Sequence, residues 1–91
     1  MTHTFLGKDI ELLEFNIETA DKIQAVMLGE ADITTGEAKV SMASFNKAKY
    51  MTIEHGTADK EINAKYIGTL KANQAKDVQE LYDAIQKLNG L

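Results

Sequence analysis

The sequence predicts an α+β fold that is mainly helical: an N-terminal β-hairpin followed by about four helices, in a single domain spanning 1–91. Residues 1–16 form the hairpin in this reading and 19–91 the helical part. Three observations predict it. Short apolar runs flank a glycine near the start, helix-start residues recur ahead of apolar segments, and the closing stretch carries a clean helical period. With 44% hydrophobic and 26% charged residues, the chain lies outside the composition of disordered proteins, and its 91 residues suffice for one modest core.

Thr4-Phe5-Leu6 and the run Ile10 to Phe15 are separated by Gly7-Lys8-Asp9, which suits a hairpin whose turn uses the glycine. The doublet Leu12-Leu13 breaks strict alternation, so it marks either a bulge or a strand covered on both faces. Thr19 as N-cap, Asp21 in the opening turn and Ile23, Val26 and Met27 predict a first helix that stops at Gly29. Glu30 to Gly36 reads as a loop, and Thr34 with Glu37 fits a capping box for a second helix ending before Gly56. In that segment Val40, Met42, Phe45, Ala48, Tyr50, Met51 and Ile53 are spread around the whole helical wheel. The helix is then covered on several sides, or part of 37–45 is a strand, since Ala38, Val40 and Met42 alternate with polar residues; the cap and the glycine favour helix.

Thr57 and Asp59 predict a third helix carrying Ile62, Tyr66 and Ile67 and ending at Gly68. Thr57-Ala58-Asp59-Lys60 repeats Thr19-Ala20-Asp21-Lys22, without other internal similarity to suggest a duplication. The last helix has Val78, Leu81, Tyr82, Ile85 and Leu88 on one face and Asn73 as its cap. Lys87 falls in its last turn, and Gly90 with Leu91 suits a Schellman end.

Fourteen acidic residues against ten lysines give a net charge of −4, and arginine is absent. Without the planar fork that grips phosphates and guanine edges, and with lysines interleaved among acids, the chain is a poor nucleic-acid binder. Lack of cysteine excludes disulfides, thiolate metal sites and cysteine nucleophiles. The first fifteen residues show no signal-peptide pattern and no run approaches a bilayer span, so a cytoplasmic location without membrane attachment is expected.

Candidate chemistry is sparse. His3 and His55 stand far apart without companions, so no metal site is expected from them. Glu30, Asp32, Thr34 and Gly36 begin like a calcium loop, but the glycine comes one place late and Ser41 stands where a bidentate glutamate belongs. Asp9, Glu11, Glu14, Glu18 and Asp21 read as solvated charge rather than an acid–base pair, since no nucleophile motif accompanies them. The expectation is a protein that is not an enzyme and takes no cofactor. One feature stands out: Met42, Phe45, Tyr50 and Met51 cannot all face one core if their segment is a single helix. Methionine adapts to varied surfaces and aromatic rings carry large contact area, so these four are the candidate partner-binding residues, with plain core as the competing reading.

The phrase Leu12-Leu13-Glu14-Phe15-Asn16-Ile17-Glu18-Thr19-Ala20-Asp21-Lys22-Ile23 resembles the end of the N-terminal segment of small phage tail assembly chaperones. Tyr66-Ile67-Gly68-Thr69-Leu70, Asp77-Val78 and Leu81 to Gly90 are similar to that family's ending. Gly29 to His55 has no counterpart in the pattern. The resemblance implies a non-enzymatic protein, made in the bacterial host cytoplasm, that holds tape-measure protein soluble and recruits tail-tube subunits. It also implies that a longer frameshifted form is often made. The alternative reading is a small phage- or bacterium-encoded inhibitor that blocks a protein target. A small enzyme subunit or ligand-binding protein is a third.

Overall fold

A computed structural model describes residues 1–28 and 42–90. Among the described residues two strands, β1 (Thr2–Phe5) and β2 (Lys8–Glu11), precede four helices: α1 (Ile17–Leu28), α2 (Met42–Gly56), α3 (Ala64–Gly68) and α4 (Ala75–Leu88). The predicted architecture, a hairpin followed by four helices, is the observed one. The stop expected at Gly29, the loop Glu30 to Gly36, the Thr34–Glu37 cap, the calcium-like loop and Leu91 lie outside the described residues.

The hairpin is antiparallel, with Thr2 opposite Glu11 and Phe5 opposite Lys8. Its turn is Leu6-Gly7 rather than Gly7-Lys8-Asp9. Both turn residues have positive φ, 51° and 79°, the pair of left-handed conformations that a type I′ turn needs to match strand twist. Lys8 and Asp9 therefore belong to β2, where Asp9 accepts a 2.8 Å hydrogen bond from the Thr4 hydroxyl opposite it. Phe5, Ile10 and Leu12 are buried, whereas Leu13 is 40% exposed. The leucine doublet is thus neither a bulge nor a strand covered on both faces. Leu12 completes the buried alternation, and the chain beyond β2 pairs with the end of α2, where Leu13 N–H donates to Gly56 C=O and Ala58 N–H to Glu11 C=O.

Two helix starts differ from expectation for one physical reason: an asparagine side chain, not a threonine, receives the free N–H groups. In α1 the Asn16 carboxamide oxygen accepts from Thr19 N–H at 2.8 Å, so Thr19 lies inside the first turn. In α3 the Asn63 carboxamide accepts from Tyr66 N–H at 2.9 Å, and the helix is five residues long instead of running from Thr57. Thr57 is buried in extended chain, bridged to Leu12, with its hydroxyl donating to Ile53 C=O. Ahead of α4 a 3₁₀ turn covers Ala72–Gln74, fastened by Lys71 N–H donating to Gln74 Oε1, so Asn73 sits within this turn rather than capping.

Helix α2 lies at the centre and contacts α1, α3 and α4, which explains why its apolar residues are distributed all round. Ser44, Ala48 and Thr52, spaced by four, are buried, and their small side chains let neighbouring backbones approach. The Thr52 hydroxyl is satisfied by Ala48 C=O at 2.8 Å. At Gly56 a Cβ would overlap the Ile85 side chain, so this glycine sets how closely α2 can meet α4. Val78, Leu81, Tyr82 and Ile85 are buried in the core with Ile53, Ile62, Ile67 and the hairpin residues, and Leu88 packs at its margin. Tyr66, expected in the apolar set of its helix, is 38% exposed.

Candidate interaction surface between the first and last helices

The arrangement that sets up a surface begins in the linker between β2 and α1. Asn89, at the C-cap of α4, ties this linker down. Its carboxamide oxygen accepts from Phe15 N–H at 2.6 Å, and its carboxamide nitrogen donates to Ile85 C=O at 2.9 Å and Leu13 C=O at 3.4 Å. Phe15 consequently packs against the core, half-buried. The next apolar residue, Ile17, is carried outward at the first position of α1 and is 81% exposed.

Helix α1 buries Ile23 and half-buries Val26 and Met27. It packs along α2 and makes at most marginal contact with α4. The gap between α1 and α4 holds two adjoining cavities. One, of about 220 Å³, is lined by Phe15, Asn16, Ile17, Ala20 and Asn89. The other, of about 270 Å³, is lined by Ala20, Ile23, Gln24, Met27, Tyr82 and Gln86. Ala20 belongs to both, so together they form one groove with an apolar floor and carboxamides along its sides. The Tyr82 hydroxyl accepts from Gln86 Nε2 at 2.8 Å, and burial pushes its pKa up, so the phenol stays neutral at physiological pH.

Of the four residues singled out in the sequence, the three whose side chains are described have different surroundings. Met42 opens α2, and its side chain lies outside the described part. Phe45 is half-buried, its ring edge-to-face with Tyr82 at 6.5 Å between centroids, which places it one ring away from the groove. Tyr50 lines a separate cavity of about 280 Å³ with Ile67, Leu70 and Val78, and packs on the core. Met51 is half-buried. Sequence reasoning missed Leu13, Ile17 and Asn89. A signal for Ile17 was present: it lies about half a turn round the wheel from Val26, off the face that Ile23 and Val26 define.

Among the described residues no three His, Asp or Glu side chains gather as a metal-ligand set. His3 stands on β1, and His55 is exposed in the last turn of α2. Lys8 and Asp59 pair at 2.9 Å between β2 and the segment before α3. Their hydrogen bond is the main cause holding the lysine above, and the carboxyl below, its ordinary pKa. Among the described residues no helix is long and apolar enough to cross a membrane. No protein-family model, curated protein or solved structure matches the chain.

Proposed function

We propose that this chain is a non-enzymatic protein-binding module of the phage tail assembly chaperone kind, which holds a helical segment of tape-measure protein and recruits tail-tube subunits in the host cytoplasm. The observation that carries the reading is Ile17, 81% exposed at the mouth of an apolar groove and anchored there by the Asn89 bonds to the preceding linker. Leaving a large aliphatic side chain in water forgoes about 1.5–3 kcal/mol of burial, which a docked partner recovers. An anchored position lowers the entropy cost of that docking. The contact face accordingly shifts from the Met42, Phe45, Tyr50 and Met51 set to the α1 side of the groove, with Phe45 supporting it from behind Tyr82.

Co-expression with the tape-measure and tail-tube proteins of the same genome, followed by pull-down, tests this. The wild type should capture at least one of them, and Ile17→Glu should lose capture with its melting temperature nearly unchanged, because an exposed substitution typically stays within about 0.5 kcal/mol. Phe45→Glu and Tyr50→Glu are poor probes, since each sets a charge against buried neighbours and would disturb the fold. Failure of the wild type to capture either protein would remove the chaperone reading and favour the inhibitor reading.

A further inference from the structure

We infer that Asn89 is a self-modification site: with Gly90 it closes a succinimide that opens to aspartate or isoaspartate, a reaction the folded linker holds off and whose product loosens the linker from α4. The inference is independent of what docks beside Ile17. In the reaction the Gly90 amide nitrogen loses its proton and bonds to Asn89 Cγ, the Cγ–Nδ2 bond breaks, and ammonia leaves. Water then cleaves one of the two C–N bonds of the imide. Breaking the new bond gives aspartate; breaking the original peptide bond gives isoaspartate, whose main chain runs through Cβ and Cγ. A side chain on the following residue obstructs the attacking nitrogen, and glycine has none. The other asparagines precede Ile17, Lys47, Ala64 and Gln74, so Asn89 alone has the unobstructed partner. Gly90 is exposed, and a Cβ there would meet nothing within 4 Å, so water reaches the reacting atoms from outside.

Three features of the fold oppose the attack. At a ψ of 4° for Asn89 the Gly90 nitrogen eclipses the nitrogen of Asn89 itself, whereas ring closure needs it beside Cβ. Gly90 N–H donates to Lys87 C=O at 3.2 Å, which shields the proton that must leave. The carboxamide is fixed through both of its heteroatoms, by Phe15 N–H, Leu13 C=O and Ile85 C=O. Two of these three partners belong to the linker, so turning the carboxamide toward Gly90 requires the linker to lift in a local opening. Conversion then replaces Nδ2, the donor to Leu13 and Ile85, with a carboxylate oxygen that only accepts. Two carbonyl oxygens face a negative charge with no proton between them, at the end of α4 where the helix dipole also disfavours an anion. An aspartate keeps only the bond from Phe15 N–H, and the isoaspartate carboxylate, one carbon nearer the main chain, reaches less far.

Incubation of the full chain at neutral pH, followed by mass spectrometry with peptide mapping, tests the guarding role. The small mass gain of amide-to-acid conversion at Asn89 should appear at least about tenfold faster in guanidinium chloride, where the fold is lost, than in buffer at the same pH. Phe15→Ala keeps the linker N–H but removes the ring that packs on the core, and should accelerate the gain in buffer. Asn89→Gln, which would have to close a larger ring, should abolish it. The converted protein carries one more negative charge and separates from fresh protein by ion exchange. A glutamate-specific protease should cut it after Glu14 at least about fivefold faster than the fresh protein, because the linker opens more often. Equal rates in buffer and denaturant, an unchanged rate in Phe15→Ala, or conversion that maps first to another asparagine would each overturn the guarded site. Equal cleavage of converted and fresh protein after Glu14 would overturn the release of the linker.

Discussion

Leu6 turns the hairpin at a φ of 51°, a left-handed conformation that places its Cβ against the following carbonyl at a cost of about 1–2 kcal/mol. The sequence marks the glycine beside it as a turn residue but not the leucine, because leucine has no preference for that region and reads as the end of a strand. Lys8 and Asp9 looked like turn residues instead, and only cross-strand pairing shows that they are not. An Asn-Gly pair is the favoured composition for this turn. Leu6→Asn should therefore raise stability by about 0.5–1 kcal/mol, the relief of backbone strain being partly offset by loss of the leucine's contacts in the small cavity it shares with Lys8 and Tyr66. The measurement is the urea midpoint, which should rise at constant slope. An unchanged or lower midpoint would mean that the turn stores no such strain.

At the scale of elements, the repeated tetrapeptide shows where local signals stop being sufficient. Thr19-Ala20-Asp21-Lys22 is helical, whereas Thr57-Ala58-Asp59-Lys60 is not. What differs is the partner offered to the backbone. The first copy follows Asn16, which caps it, while the second lies beside the end of the hairpin, with Ala58 N–H donating to Glu11 C=O and Lys8 pairing with Asp59. Helix propensity differs by well under 1 kcal/mol among most residues, so one long-range backbone bond and one buried threonine suffice to reverse it. Helix α4 was legible because its apolar period is strong enough to fix the buried face without tertiary information, and α2 was ambiguous because it is covered on three sides. The groove was not legible at all, since it depends on α1 standing off from α4, a relation between elements far apart in sequence. Leu81, fully buried at the centre of α4, gives this element its measurable test. Leu81→Ala should cost about 2–5 kcal/mol in a denaturant titration, as removal of a core leucine does. A loss near zero would place this face outside the core.

Over the whole molecule, the two ends of the chain stabilise one another. Phe5, Ile10 and Leu12 share a core with Leu81 and Ile85, β1 contacts α4, and Asn89 near the C-terminus holds the linker at Phe15. The hairpin alone is too small to be stable, because two strands in water are marginal at best. Conversely, α4 without the hairpin would present part of its apolar face to solvent. These dependences predict a single cooperative transition for the full chain, with far-ultraviolet and aromatic circular dichroism melting together. Deleting residues 2–11 removes two buried side chains of the core and both strands, including the β1 that contacts α4. The shortened chain should retain much of its helical signal yet lose the sharp melt and the aromatic signal, and bind a hydrophobic dye, as a compact state without fixed packing does. A sharp melt in the shortened chain would show instead that the helices form an independent unit and that the hairpin is an appendage. The groove would then stand without the hairpin, since the Asn89 bonds to Leu13 and Phe15 survive the deletion and would still hold Ile17 in place.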